Sequence, residues 1–245
     1  MSIGSQRNDN IEKFQIILQS LIQFATLLFF KIFFTLKIEG GEEVLKELIE
    51  ARKKDKGLLF APNHISEWDA IIVRCALPIK AFAFPLYYVA MTKDHYQYEK
   101  FGWRRYFYGG NLFKVLGAYP AYLGMRDYHA SLVNHIELLE YGKSVCIFPE
   151  GKISVDTSKP GEAKGGIGFL AEYTQTDIVP VTLKGFERLS WVKGIFGKKP
   201  VVTVVYHQVL RISNILETAK KQGVAEGIET NKFVSNFIMD IVRKA

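Results

Sequence analysis

Residues 57–69 decide the fold: Gly57-Leu-Leu-Phe-Ala-Pro62 is followed by Asn63-His64-Ile-Ser-Glu-Trp-Asp69. The first six residues form an uncharged apolar run that ends in proline, which is typical of a short buried strand. The polar residues that follow predict a turn, and a helix is expected from about Ser66. A strand that leads through a turn into a helix is typical of an α/β protein.

The same alternation of strands and helices continues along the chain. An apolar run covers 81–91, further strands are predicted at 145–148, 178–183 and 201–206, and apolar residues at helical spacing predict helices around 44–49, 132–139 and 233–241. This order indicates an α/β fold with a largely parallel central sheet flanked by helices.

The N-terminal part of the chain differs in composition. Between Phe14 and Leu36, 16 of the 23 residues are apolar, and Lys31 carries the only charge. This length is sufficient to cross a bilayer, and no small-residue cleavage site follows it. We therefore predict that residues 1–38 are a membrane-anchoring helical segment and that residues 39–245 form one α/β domain.

A polar stripe interrupts this apolar segment. Gln15, Gln19, Gln23 and Thr26 recur at helical spacing and therefore share one face of a helix. Such a helix suits one leaflet of a membrane, or it can dock its stripe on protein. A buried helix of a soluble protein remains an alternative. We favour a monotopic helix that enters one leaflet.

Charge and composition point to an anionic partner. Lys and Arg outnumber Asp and Glu by 32 to 25, which gives a net charge of +7. Basic and aromatic residues interleave in 96–108 and 184–200, a pattern that suits a membrane interface or single-stranded nucleic acid. Because no nucleic-acid-binding motif accompanies them, we predict contact with membrane lipids and no nucleic acid.

The two cysteines lack the spacing of a disulfide framework or a zinc site. Cys75 and Cys146 lie far apart in the sequence, and Cys146 belongs to an apolar run. We therefore predict no metal site, a core position for Cys146, and a reducing compartment, which places the protein on the cytoplasmic face of a membrane.

His64 and Asp69 are the first candidates for chemistry. A turn at the strand end can fold the Asp69 carboxylate back onto the imidazole, which is the geometry of an oriented general base. The alternative is structural, because Ser66 and Asp69 also resemble a helix-capping pair. The pair His135 and Glu140 has the same spacing, but it falls within a predicted helix that points the two side chains apart.

A second polar cluster follows the strand predicted at 145–148. Phe148-Pro149-Glu150-Gly151-Lys152 places a carboxylate in a tight turn at the strand end. Ligands of open α/β sheets gather at the carboxyl ends of the strands, so Glu150 is expected near His64. The alternative is an ordinary exposed loop glutamate.

Together these residues resemble the 1-acylglycerol-3-phosphate acyltransferase (PlsC-like) family of glycerolipid acyltransferases. The motif NHxSxxD is matched by Asn63, His64, Ser66 and Asp69, the motif FPEG by Phe148, Pro149, Glu150 and Gly151, and the family's proline-containing strand by Pro180. Lys93 falls where the family often has a basic residue. The resemblance spans roughly residues 38–210.

The resemblance implies an activity. His64, oriented by Asp69, would deprotonate the hydroxyl of a lysolipid, which attacks an acyl thioester carried by CoA or acyl carrier protein. Glu150 and Gly151 would position the acceptor. The other motif residues would also contribute to substrate binding, namely Asn63, Ser66, Phe148, Pro149 and Pro180. The partners implied are the lysolipid acceptor and the acyl thioester as co-substrate, with no metal and no cofactor.

Two positions depart from the family pattern. Leu123 stands where an arginine is usual, with Arg126 nearby, and Ile153 replaces a second arginine, beside Lys152. We expect Lys93, Arg126 and Lys152 to hold the phosphate of 1-acylglycerol-3-phosphate. The alternatives are a lysolipid with another head group, or a catalytically silent lipid-binding relative.

Overall fold

A mostly parallel β-sheet forms the centre of the computed structural model, which describes residues 9–95, 102, 110–122, 125, 127–154, 162–186 and 198–244. Within these residues the strands are β1 (Thr35–Glu39), β2 (Leu59–Pro62), β3 (Leu86–Met91), β4 (Ala118–Ala121), β5 (Ser144–Cys146), β6 (Ile178–Lys184) and β7 (Val201–Tyr206). They form one sheet in the order β1-β7-β6-β2-β5-β3-β4. Neighbours are parallel except β6 and β7. The predicted α/β class and largely parallel sheet are confirmed.

Helices cover both faces of this sheet. They are α1 (Asp9–Phe33), α2 (Gly41–Lys53), α3 (Asp69–Cys75), α4 (Gly110–Val115), α5 (Tyr128–Glu140), α6 (Gly166–Thr174), α7 (Ile212–Lys221) and α8 (Ile228–Lys244), with short 3-10 turns at Ile79–Ala83 and Lys93–His95. Helices α1, α2 and α3 pack on one face, and α5 to α8 pack on the other.

The carboxyl ends of the central strands share one edge. Strands β2 and β5 are parallel, with Phe60 opposite Cys146. Strands β3 and β6 run parallel to them on either side. The turns after β6, β2, β5 and β3 therefore meet at one edge, which is where an open α/β sheet binds its ligands.

The N-terminal helix ends earlier than predicted. Helix α1 ends at Phe33, and residues from Thr35 form edge strand β1, which pairs in parallel with β7. The alternating sequence Thr-Leu-Lys-Ile-Glu suits a strand. The helix before it is also apolar, so the hydrophobic pattern does not show where the helix ends and the strand begins. The predicted boundary between residues 38 and 39 falls inside β1, so the sheet includes part of the predicted anchor.

The polar stripe of α1 docks on the domain. Gln15, Gln19, Gln23 and Thr26 are buried. Gln15 donates to Lys114 O, and Gln19 donates to Leu86 O and Leu116 O. The stripe was expected to lie in one leaflet of a membrane or to dock on protein. In the structure it docks on the protein.

The opposite side of α1, its apolar face, is exposed. It consists of Ile11, Phe14, Ile17, Leu21, Phe24, Leu28 and Ile32, each about half exposed or more. By length and composition alone, Ile11–Phe33 could cross a bilayer. Contacts with the domain instead follow the helix from Glu12, which pairs with Lys143 at 2.6 Å, to Phe34 in the core.

The two basic and aromatic stretches fall mainly outside the described residues. Of 96–108 the structure describes only Gly102, and of 184–200 it describes 184–186 and 198–200. Their predicted membrane contact stays a prediction.

Candidate active site

The loop between β2 and α3 holds His64 against Asp69. His64 Nδ1 lies 2.9 Å from Asp69 Oδ2. The same oxygen accepts the main-chain N–H groups of Ile65 at 2.6 Å and Ser66 at 2.8 Å. Asp69 is fully buried. The predicted contact between the imidazole and the carboxylate is therefore present, and main-chain donors stabilise the buried charge.

Ser66 occupies the second oxygen of the same carboxylate. Its hydroxyl donates to Asp69 Oδ1 at 2.7 Å and accepts the Trp68 N–H at 3.2 Å. Asp69 is also the first residue of α3. The N-cap residue is Trp68 and makes no side-chain capping bond, so Ser66 does not cap α3 as the capping interpretation expected. Ser66 instead donates to both oxygens of Asp69, from its hydroxyl and from its main-chain N–H. The contacts give Ser66 an orienting position rather than a free hydroxyl for substrate.

The His64 imidazole is held by stacking on its ring face as well as by the hydrogen bond at Nδ1. The rings of His64 and Phe148 stack with centroids 4.0 Å apart. The His64 side chain is 20% exposed, and Nε2 has no hydrogen-bond partner among the residues that the structure describes. When Asp69 accepts the Nδ1 proton, Nε2 presents its lone pair, which is the arrangement of a general base.

Glu150 contacts the main chain of His64. Glu150 Oε1 accepts the His64 N–H at 3.0 Å, and Oε2 accepts the Ser154 hydroxyl. The Ser154 N–H in turn donates to His64 O at 2.7 Å. These bonds close a ring, which we call the His64–Glu150–Ser154 ring, between the turns after β2 and β5. Glu150 lies beside His64 as predicted.

The ring changes the interpretation of Glu150. The carboxylate is buried, and each of its oxygens already bonds to the protein. These contacts favour a role in holding His64 over the direct acceptor contact that was predicted. Ser154 was not identified from the sequence, because a serine four residues after a glutamate has no distinctive pattern.

Lys164 is a further cation that sequence reasoning missed. Its main-chain N–H donates to Pro149 O at 2.8 Å. Its side chain crosses Gly151, where an added Cβ would lie 3.1 Å from Lys164 Nζ. Gly151 also has a φ of +65°, a conformation that favours glycine. Both the close approach of Lys164 and the backbone conformation therefore favour glycine in this turn. The lysine is exposed and has no ion-pair partner within the described part of the chain.

Comparison with known proteins shows the family and the fold of the chain. The family model described as Acyltransferase matches residues 40–184, which is more than half of the chain. The chain belongs to the acyltransferase family. The crystal structure of the 1-acyl-sn-glycerophosphate (LPA) acyltransferase PlsC from Thermotoga maritima is similar with a TM-score of 0.60 and 19% identity, covering 95% of this chain and 80% of that chain. At this identity the similarity establishes a shared fold, and the family prediction is confirmed.

Two motif residues of this acyltransferase lie in the scaffold. Asn63 Nδ2 donates to Leu183 O at 3.0 Å, and Asn63 Oδ1 accepts the Leu183 N–H at 2.7 Å. Its amide therefore ties the end of β2 to β6. Pro180 is buried within β6 opposite Ala61, and its carbonyl accepts the His207 N–H. Both residues were predicted to bind substrate, whereas their contacts indicate support of the His64 loop.

The predicted phosphate ligands are only partly described. Lys93 is exposed in the turn after β3, and Lys152 is exposed in the turn after β5. Both lie at the edge that carries His64, because β3 and β5 are parallel neighbours. Arg126 lies outside the described residues.

Two sequence exclusions agree with the structure of the acyltransferase. His135 is fully buried within α5 and Glu140 is exposed at its end, so their spacing carries no site. Cys146 is fully buried in β5, and burial raises the pKa of its thiol well above the ordinary value. A thiol held protonated is a poor nucleophile.

Proposed function

We propose that this protein is a membrane-associated O-acyltransferase that transfers an acyl chain from a thioester of CoA or acyl carrier protein to a lysolipid hydroxyl. The acceptor we propose is 1-acylglycerol-3-phosphate, with phosphatidic acid as the product. The observation that carries the proposal is the His64–Asp69 pair at the carboxyl edge of the sheet, with Nε2 unoccupied by any described residue.

The pair suits direct transfer between two substrates. Nε2 of His64 takes the proton from the lysolipid hydroxyl, and the oxygen attacks the thioester carbonyl carbon. The tetrahedral intermediate collapses as the C–S bond breaks, and the imidazolium returns the proton to the thiolate. One ester and one free thiol result. Asp69 holds the Nδ1 tautomer and stabilises the imidazolium without itself taking the proton.

Cations at the same edge support a phosphate-bearing acceptor. Lys164 lies over Gly151, next to Glu150, and Lys93 and Lys152 follow neighbouring strands. A phosphate brought beside the carboxylates of Asp69 and Glu150 needs compensating positive charge. We propose Lys164 and Lys93 as the main phosphate contacts, with Lys152 and Arg126 contributing. The Lys164 assignment offsets the arginines absent at Leu123 and Ile153.

The apolar face of α1 supports membrane association. Its seven exposed apolar side chains lie along one side of a helix whose other side is docked on the domain. A helix docked along its length suits the plane of the interface rather than a perpendicular span. We therefore propose a monotopic attachment through α1. Two buried free cysteines fit a reducing compartment and hence the cytoplasmic face.

A lysolipid with a different head group is the second candidate. Leu123 and Ile153 occupy positions where the family usually has arginine, which favours a weaker grip on a phosphate monoester. A catalytically silent lipid-binding relative is less consistent with the preserved pair of His64 and Asp69.

The test is a lysolipid panel assayed with both donors. Purified full-length protein is incubated with acyl-CoA or acyl carrier protein thioester, and products are identified by mass spectrometry. We expect acyl transfer to 1-acylglycerol-3-phosphate, reduced by about 10²–10⁴ in His64→Ala. Transfer confined to another lysolipid would reassign the acceptor. Lipid binding without any turnover would overturn the enzymatic proposal.

A further inference from the structure

Helix α3 carries the orienting carboxylate at one end and meets α1 at both ends. At its N-terminal end, the Trp68 ring stacks on Phe29 of α1, with centroids 6.0 Å apart and planes 8° apart. Phe30 meets the same indole edge-on at 6.4 Å. Trp68 immediately precedes Asp69, so the aromatic contact lies one residue from the group that orients His64.

The other end of α3 is bound by the polar stripe of α1. Gln23 Nε2 donates to Arg74 O at 3.0 Å and to Cys75 O at 3.3 Å, the carbonyls of the last two residues of the helix. Arg74 Nε donates to Gln19 Oε1 at 2.7 Å, and its Nη1 donates to Gln23 Oε1. Arg74 is 3% exposed. A buried guanidinium is thereby satisfied in part by amide oxygens of α1.

Because α3 is short, the contacts at its two ends are mechanically coupled. The helix has seven residues, which corresponds to about 10 Å at 1.5 Å per residue. A displacement of α1 at Arg74 therefore moves the whole helix, including Asp69, since a helix of two turns behaves as one rigid piece. Asp69 accepts three donors at distances of 2.6–2.9 Å on Oδ2, so a small shift misaligns them.

We infer that α1 is a positioning element for the His64–Asp69 pair. Gln23 and Arg74 are the positioning residues through which α1 holds α3, the helix that carries Asp69. The inference rests on the proposed acyltransferase function. The same helix presents its apolar face outward, so the surface proposed to contact lipid and the support of the general base belong to one element. Helix α1 then acts as part of the active site's framework and not as a tether alone.

A matched pair of variants on α1 tests this role. Gln23→Met removes the bonds to the end of α3. Gln15→Met removes bonds of the same kind to Lys114 O and Tyr87 OH, which lie away from α3. Both variants lose hydrogen bonds of one stripe, and Gln23→Met also removes an acceptor from the buried Arg74 guanidinium, so its loss of stability should be the larger of the two.

We expect the two variants to separate in kcat and in local protection. At a temperature well below both Tm values, Gln23→Met should lower kcat about tenfold with KM for the thioester unchanged, and Gln15→Met should stay within about twofold of wild type. Hydrogen exchange at the Ile65 and Ser66 amides, which donate to Asp69, should quicken in Gln23→Met only. Arg74→Lys should retain more kcat than Arg74→Met.

Equal kcat losses in the two glutamine variants, or unchanged exchange at Ile65 and Ser66 in Gln23→Met, would overturn the inference. The exchange measurement needs no turnover. If the wild-type protein transfers no acyl group, the proposed function fails, while exchange that differs between Gln23→Met and Gln15→Met still supports the positioning role.

Discussion

The main-chain N–H of His64 donates to Glu150 Oε1 at 3.0 Å, across 86 residues of sequence. The bond joins the turns after two parallel neighbours, β2 and β5. With Ser154 it closes the His64–Glu150–Ser154 ring, which holds the His64 main chain from both its N–H and its C=O. Glu150 therefore acts on the backbone of His64, and Asp69 acts on its side chain.

Replacing Glu150 distinguishes this holding role from acceptor binding. Glu150→Gln keeps an oxygen for the His64 N–H, and the Ser154 hydroxyl can reverse to accept from the amide, so kcat should fall only about fivefold. Glu150→Ala leaves the His64 N–H unpaired and should lower kcat by about 10² with little change in KM for the acceptor. A rise in KM in both variants, with kcat preserved, would restore the acceptor-binding role.

Asp69→Asn should lower kcat by about 10³ while the protein remains folded. The two main-chain N–H groups that donate to Oδ2 should keep the amide oxygen of the variant at that position, so the Nδ1 tautomer is retained. The negative charge that stabilises the imidazolium is lost, and His64 becomes a weaker base. Steady-state kinetics and circular dichroism check this prediction. Wild-type activity in Asp69→Asn would refute the general-base mechanism, because the imidazolium formed in it depends on the carboxylate charge.

Lys164→Ala should be impaired mainly on acceptors with a phosphate monoester. Loss of a charge-assisted contact costs about 1.5–3 kcal/mol, or about ten- to a hundredfold in kcat/KM. A lysolipid without the monoester should be affected less. Lys46→Ala on α2, also an exposed lysine, is the control and should leave both acceptors unchanged. Equal losses of Lys164→Ala on both acceptors would remove the phosphate assignment.

Charges on the apolar face of α1 should release the protein from membranes. Leu21 and Phe24 are 63% and 67% exposed, so Leu21→Lys combined with Phe24→Lys removes lipid contact without breaking internal packing. We expect sedimentation with phosphatidylethanolamine–phosphatidylglycerol vesicles to fall by at least tenfold, since each apolar side chain contributes about 1.5–3 kcal/mol when fully buried.

The control for the membrane experiment is Tyr173→Lys, which alters an exposed side chain of α6 on the opposite face of the sheet. Vesicle binding should be unchanged there. Deleting residues 1–38 is a poorer test, because it also removes β1 residues and the Gln19 and Gln23 contacts and should unfold the protein. Undiminished vesicle binding by the doubly charged variant would contradict attachment through α1.

His135 should make the fold less stable in acid. Burial lowers the pKa of its imidazole from 6.5 to about 4, partly opposed by main-chain groups of Tyr88 and Tyr119. The unfolded chain therefore binds this proton more tightly, and stability that is present above pH 6.5 is lost as the pH falls through about 4. The total contribution is about 3 kcal/mol, at ~1.4 kcal/mol per unit.

Denaturant unfolding of wild type and His135→Phe between pH 7 and pH 4.5 measures this contribution. The variant should show a shallower loss of stability than wild type. His129→Phe, which replaces an exposed ring at the start of the same helix, should keep the wild-type slope. Identical slopes for His135→Phe and wild type would show that another group controls acid stability.

The sequence by itself determined the fold class and the location of the site. Apolar runs that end in polar turns, at Pro62 and at Phe148, identify strands and the residues that follow them. Because parallel strands bring their carboxyl ends to one edge, the sequence alone predicts that His64 and Glu150 lie together. The five-residue spacing to Asp69 was informative for the same local reason, since a turn at a strand end can return the chain on itself.

Only the tertiary structure decided which partners the polar groups take. Lys164 and Ser154 reach the site through contacts made by the turn after β5, and β1 exists because β7, more than 160 residues later, offers it an edge. The glutamine stripe of α1 predicted a polar surface, but it did not predict that Gln23 would form hydrogen bonds with the C-terminal end of α3. Pairings between segments distant in sequence depend on the packed arrangement of the whole sheet, so local sequence patterns do not predict them.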